Sequence, residues 1–331
     1  MRLEPPTFRD ILRARAVVHR YLPPTPLVQS PALSERLGFE VVLKCESLQP
    51  IGAFKVRGGI YLMSRLSPEE RARGVVTAST GNHGQSIAYA ARLFGVRAIV
   101  YAPESANPVK LAAMRRLGAE VVLTGRDFDE ARLACEERAA RDGFRYIHSA
   151  NEPDLIAGVG TYALELIEAV PDLDAVIVPV GAGSGVCGTG IVMKTVDPRI
   201  EVIGVQAEGM PVVYESWRQD KLLALEGGWT FAEGLATRVA FELPLRIIRE
   251  RVDELVLVRD EEMGAAIVEL METARLVAEG AGAAPLAAAR RLRDRFAGKK
   301  VALIVSGGNI TLETLRWAIA TAGGGAAVAG S

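Results

Sequence analysis

The chain has 331 residues, 49% of them hydrophobic, and a net charge of -1. That length supports a core for one large or two modest domains, and the near-zero charge excludes an electrostatic case for nucleic acid or an anionic membrane surface. Met1–Pro6 holds no apolar run and no charge-free stretch spans a bilayer, so neither signal peptide nor membrane anchor is expected and the expected location is the cytoplasm.

Taken in order, Thr7-Phe-Arg-Asp10 forms a capping box that opens a helix to about His19. Prolines in Tyr21–Leu27 stop it. Ser34–Leu37 reads as a short turn, and Val41–Glu46, apolar and β-branched, as a buried strand. Next comes Ser47-Leu-Gln-Pro-Ile-Gly-Ala-Phe-Lys-Val-Arg-Gly-Gly59. Its Pro/Gly turn delivers Lys55 near the start of a helix whose apolar spacing is clear over Ile60–Leu66.

From Gly74 the chain alternates as βαβ units do, with strands at 75–78, 98–101, 120–124 and 144–148 and helices at 85–94, 108–117 and 127–142. These pieces predict a small domain over 65–149, while 1–64 and 150–321 form a larger one. In the larger part the expected strands are 175–180, 201–207, 254–258 and 300–305. The expected helices are 158–169, 188–195, 261–278, 283–296 and 310–321, with a loop over 229–240. The Gly/Ala-rich stretch 322–331 reads as a flexible tail, and no further domain is expected after it. Cys45, Cys135 and Cys187 are far apart and make no CxxC pair, so they read as reduced.

Four stretches carry chemistry. A helix N-terminus disfavours a second positive charge, and Phe54 beside Lys55 would remove water; both favour the neutral amine, the form that attacks a carbonyl. Read alone, Lys55 is also a surface lysine in a strand-to-helix loop. Gly181-Ala-Gly-Ser-Gly-Val-Cys-Gly188 lies between a strand and a helix, where backbone N–H groups converge on an anion. No Gly-Lys-Ser/Thr follows, so it is not a Walker loop; a tight βα turn and a pyrophosphate loop both stay open. Ser79-Thr-Gly-Asn-His-Gly-Gln85 also ends a strand and opens a helix, which suits a carboxylate or a plain helix cap. Ser306, before Gly307 and Gly308, reads by itself as a cap for the next helix.

In this order the four stretches resemble the fold-type II pyridoxal-phosphate enzymes, most closely the serine/threonine dehydratase and serine racemase branch, from about Thr25 to Asn309. The resemblance implies two open twisted α/β domains of the tryptophan synthase β-subunit kind, with the cofactor in the cleft between them. It implies pyridoxal 5'-phosphate on Lys55 as a Schiff base, its phosphate held by Gly181, Ala182, Gly183, Ser184 and Gly185. Asn82 would touch the phenolic oxygen, Ser306 the pyridine nitrogen, and Phe54 and Glu279 would lie near the ring. Ser79, Thr80, Gly81 and His83 would receive the substrate carboxylate. Glu233 and Gly234, in Thr230–Ala236, would lie at the substrate side.

Three departures bear on activity. Ala53 precedes Phe54-Lys55 where the family often has serine. Thr80 stands where the racemase branch has the serine that serves as opposite-face base, so Thr80 is a catalytic candidate with a β-branch to hinder it. Glu208 matches the first acidic residue of that branch's divalent-metal site, but Val212 and Tyr214 supply no carboxylate, so no metal is expected. The expected activity is deamination of a β-hydroxy amino acid such as L-threonine or L-serine by β-elimination. Serine racemase is the alternative and β-replacement a lesser one. A nucleotide-binding module without catalysis would leave Lys55 unexplained. A homodimer or homotetramer acting on a small amino acid is expected.

Overall fold

Aliphatic and β-branched runs build ten strands among residues 3–323, the span described by this computed structural model. They are β1 (Leu27–Gln29), β2 (Glu40–Cys45), β3 (Val75–Ala78), β4 (Ala98–Ala102), β5 (Glu120–Leu123) and β6 (Arg145–Tyr146). β7 (Ala175–Pro179), β8 (Glu201–Ala207), β9 (Glu254–Val258) and β10 (Lys300–Val305) follow. They form two sheets in two compact units: residues 3–23 with 49–161, and residues 24–48 with 162–323. Most of the expected tail, residues 324–331, lies outside the described residues.

The first unit carries a sheet in the order β5-β4-β3-β6, parallel throughout. β3, β4 and β5 step outward on one side, and the chain then returns to lay β6 on the other side of β3. The strand order therefore reverses at β3, and the C-terminal end of β3 is this sheet's switch point, the place where open α/β sheets bind ligands. The turn starting at Ser79 leaves from there.

The second unit has the order β1-β2-β10-β7-β8-β9. All its pairs are parallel except β1 with β2. Here the reversal falls between β7 and β10, with Leu303 opposite Ile177. Gly181 and Ser306 follow these two neighbouring strands at their C-terminal ends. β7 and all of β10 after Lys300 are buried, as expected of strands covered on both faces. The alanine-rich helix Gly280–Arg291 is buried in the same core, with Ala283, Ala284, Ala287 and Ala288 inside.

Some expectations shift. Ser34–Leu37 is no turn but the end of a helix, Pro31–Leu37, started by the Ser30 side chain accepting from Leu33 N at 3.3 Å. The helix with apolar spacing over Ile60–Leu66 begins at Val56, with Lys55 as its N-cap residue, near the helix start as expected. The strand over 144–148 is reduced to Arg145–Tyr146. Helices at Pro153–Val159, Val212–Arg218 and Glu242–Arg251 were not expected. Residues 3–23, 49–64 and 150–161, expected in the larger domain, cluster with the first unit. The reason is packing: the helix Val56–Arg65 lies against Asn82–Phe94 and Pro153–Val159, and Phe8–Val18 against Pro153–Val159.

Candidate active site

In the first unit, Lys55 caps the buried helix Val56–Arg65 with φ -60° and ψ -22°. Its Nζ lies over the Phe54 ring, 5.2 Å from the centroid. A ring face attracts an ammonium, so the half-buried Phe54 gives the Lys55 cation a partner. Two residues on, Arg57 is fully buried and donates from Nη1 to Thr161 Oγ1 at 3.2 Å. With the Gln49 amide oxygen turned toward it, Arg57 also donates from Nε at 3.3 Å and Nη2 at 3.1 Å. The two helices packed against this one come very close. A Cβ on Gly158 would stand 2.6 Å from the Arg57 carbonyl oxygen, and one on Gly59 would overlap the Ser86 hydroxyl. The backbone that presents Lys55 is thus held on two sides.

The turn after β3 is built around Ser79. Its Oγ accepts from Gly81 N at 3.2 Å and from Gly84 N at 2.9 Å. The Ser79 oxygen shapes the turn, and its hydroxyl proton is still a donor of the kind a carboxylate accepts. The helix Asn82–Phe94 starts here, three residues before its expected start, and its first N–H groups point out of the first turn toward any anion placed there. Thr80, Gly81 and Asn82 are partly exposed along this turn.

His83 faces the other way. It is buried, and its Nε2 lies 2.9 Å from Thr77 Oγ1. Thr77 gives its one proton to the Ile147 carbonyl at 2.8 Å, so the histidine contact must run from Nε2–H to the hydroxyl. The network assigns a neutral ring with the proton on Nε2. Burial, reinforced by the charge of Lys55, pushes its pKa down to about 3. Its backbone N–H, not its ring, is what the turn can offer a carboxylate. His148, past β6, accepts at Nδ1 from Ala150 N at 2.9 Å and Asn151 N at 3.0 Å, and burial pushes it down to about 4.

In the second unit, Gly181 to Gly185 joins β7 to the buried helix Ser184–Val196. Gly183 is the N-cap at φ 101°, a left-handed conformation that favours glycine. A Cβ on Gly181 would overlap the Gly234 carbonyl oxygen, which seats this loop against the Thr230–Ala236 stretch. Ser184 is the first helical residue and is 3% exposed. Underneath, the Tyr162 hydroxyl lies 3.0 Å from the Gly185 carbonyl oxygen and 2.7 Å from Thr189 Oγ1.

The other expected residues of this unit gather nearby. A Cβ on Gly234 would stand 2.8 Å from Ala281 Cβ and 4.0 Å from Glu279 Oε1. Glu279 N donates to the Gly307 carbonyl at 3.0 Å, directly after the buried Ser306. The glycine loop, Thr230–Ala236, Glu279–Ala283 and Ser306–Gly307 are therefore one contiguous locus, with Glu233 exposed at its edge. At the end of β8 the buried side chain is Gln206, whose Oε1 accepts from Val213 N at 3.1 Å and Tyr214 N at 3.0 Å. Glu208 is exposed and Val212 buried.

The donor set suits pyridoxal phosphate. The second unit has a glycine loop at a helix N-terminus and a buried hydroxyl at the neighbouring strand end, and the first unit has a lysine at a helix start beside an aromatic ring. The cap role of Ser79 was among the readings of its sequence; the Thr77 partner of His83, Tyr162 under the loop, Gln206 and Ser86 were not. Of the residues not read, only Arg57 had a signal, as the charge inside a glycine-flanked motif.

A family model described as pyridoxal-phosphate dependent enzyme matches residues 18–307. L-threonine ammonia-lyase of Thermotoga maritima is 42% identical over 309 residues, 93% of this chain and 77% of that protein. Among solved structures, the processed form of threonine deaminase isoform 2 from Solanum lycopersicum superposes with a TM-score of 0.91 at 32% identity, covering 98% of this chain and 97% of that one. Maize serine racemase superposes with a TM-score of 0.90 at 30% identity, covering 96% and 98%.

Proposed function

We infer the function from one premise: the chain belongs to the pyridoxal-phosphate-dependent enzymes. It has the fold of the fold-type II members, uses pyridoxal 5'-phosphate, and is an ammonia-lyase that deaminates by β-elimination. The substrate we propose is L-threonine, L-serine or a close β-hydroxy analogue. The observation that carries this is the likeness to L-threonine ammonia-lyase over nearly the whole chain, with Lys55 at a helix start.

Roles for the residues follow as proposals. Lys55 would hold the cofactor, and its Nζ would be the base for the substrate's α-proton. When bound, pyridoxal phosphate supplies the electron sink for that step. The turn from Ser79 to His83, at the start of its helix, would orient the substrate carboxylate, and Asn82 the cofactor's phenolic oxygen. The N–H groups of Gly181 to Gly185 hold the phosphate dianion at the helix N-terminus. Ser306, a neutral hydroxyl, meets the pyridine nitrogen without fully protonating it, which suits fast loss of the β-hydroxyl. Glu233, Gly234 and Glu279 border the substrate side. The enamine that leaves is hydrolysed to a 2-oxo acid and ammonia. We place the enzyme in the cytoplasm, which suits three buried unpaired cysteines, and as a homodimer or homotetramer.

A 2-oxo acid assay across L-serine, L-threonine, a β-aryl serine and 3-hydroxyaspartate tests the reading and identifies the β-substituent. Lys55→Ala should cut the rate by on the order of 10²–10⁴-fold and abolish the borohydride-reducible visible band. A Lys55→Ala enzyme with full turnover would remove Lys55 from the mechanism.

A further inference from the structure

The Lys55 carbonyl receives two hydrogen bonds. One closes the first turn of its own helix, from Gly59 N at 3.2 Å. The other comes from Ser86 Oγ at 2.6 Å. Ser86 is fully buried in the helix Asn82–Phe94. A serine inside a helix commonly returns its proton to its own helix, to the carbonyl four residues back; this one reaches across to the neighbour. It can do so because position 59 has no side chain: a Cβ there would overlap the hydroxyl and stand 2.8 Å from the Ser86 carbonyl oxygen. The helix that carries Ser86 is also the helix that opens on the Ser79–Gly84 turn. A single hydroxyl therefore ties the backbone of Lys55 to the element whose first turn would hold the substrate carboxylate.

We propose that Ser86 is a positioning residue for Lys55, fixing the Lys55–Val56 peptide relative to the Ser79–Gly84 turn. The inference rests on Lys55 being the cofactor lysine. With both lone-pair directions of one carbonyl occupied, that peptide plane cannot rotate, and so the direction in which the Lys55 side chain leaves the backbone is set. Nucleophilic attack and proton transfer are steep functions of that direction. A lost hydroxyl should therefore slow the chemistry of Lys55 more than it weakens substrate binding.

The test uses the full chain as wild type, Ser86→Ala and Ser86→Cys. The cysteine keeps most of the volume but is a weak donor. Cofactor is stripped and pyridoxal phosphate is added back. The rate at which Lys55 becomes borohydride-reducible is followed by peptide mass spectrometry, beside kcat, KM and the melting temperature. We expect both variants to capture the cofactor about tenfold more slowly, with kcat falling in parallel and KM moving less than kcat. If Ser86→Ala does not fold, Ser86→Cys carries the test. Slowing in Ser86→Ala alone, with Ser86→Cys like wild type, would assign the effect to a packing void and overturn the proposal. So would capture rates equal to wild type in both variants. No reducible link at Lys55 in the wild-type chain would overturn the reading of Lys55 as cofactor lysine, and this proposal with it.

Discussion

Thr80 is the residue on which the choice between elimination and racemisation turns. A racemase needs a proton donor on the face of Cα that Lys55 does not reach. Thr80 is the hydroxyl that the partly exposed turn after β3 offers for that role. Its β-branch restricts χ1, and the neutral Ser306 would leave the carbanion short-lived. L-Serine or L-threonine should therefore give mainly 2-oxo acid, and Thr80→Ser should raise the share of D-isomer. Chiral chromatography of a partial reaction measures both products together; D-serine outpacing pyruvate in the wild-type chain would put the racemase reading in its place. The turn and the cap role of Ser79 were legible because these residues are contiguous. The task of His83 was not: its proton is dictated through Thr77 by Ile147, whose place beside it only the β3–β6 pairing creates.

At the scale of elements, the glycine loop and the β8 corner each make a claim. Gly183 sits at φ 101°, where a side chain is strained by roughly 1–2 kcal/mol, and a carboxylate there would also repel a phosphate. Gly183→Asp should lose cofactor affinity by tenfold or more, roughly 1.4 kcal/mol, whereas Gly183→Ala adds the backbone strain and a Cβ 2.9 Å from Pro244 Cβ without the charge; absorbance titration with pyridoxal phosphate separates the charge from the rest. Unchanged occupancy in both would place the phosphate elsewhere. At the end of β8, Gln206 already gives its oxygen to two backbone N–H groups, and Val212 cannot ligate. EDTA followed by magnesium should change turnover less than about twofold, since a hard divalent ion has too few oxygen donors there. A large magnesium-specific recovery would show the opposite. Strands were read well because buried β-branched runs such as Ala175–Pro179 leave little choice. The missed helices have weaker local signals: Val212–Arg218 starts on a bulky apolar pair and is capped by Gln206 from outside, and Glu242–Arg251 holds Pro244 in its first turn.

For the molecule as a whole, the first unit should be the acid-sensitive one. Unfolded histidines titrate near pH 6.5, whereas burial holds His83 down to about 3 and His148 to about 4. As pH falls, the unfolded state takes up these protons first. The stabilisation is complete above about pH 6.5 and is lost progressively toward the folded pKa values, on the order of 2 kcal/mol per histidine by about pH 5. Urea melts between pH 7 and 5 should show stability falling, and His83→Gln should flatten the slope by about one proton; an unchanged slope would mean His83 is already charged in the fold. The order of the larger sheet has a further consequence, for how the chain is made. Among the described residues β10 is the last strand synthesised, yet it belongs in the middle, between β2 and β7. Translation proceeds at about 5–20 residues per second, so β2 and β7 wait unpaired on that side for many seconds, with backbone edges open to any passing strand. The first unit's sheet is complete once β6 has emerged. The growing polypeptide thus carries a finished half and an unclosed one until Lys300–Val305 clears the ribosome. That interval is when chaperone protection has most to offer, and Ser306 emerges only at its end.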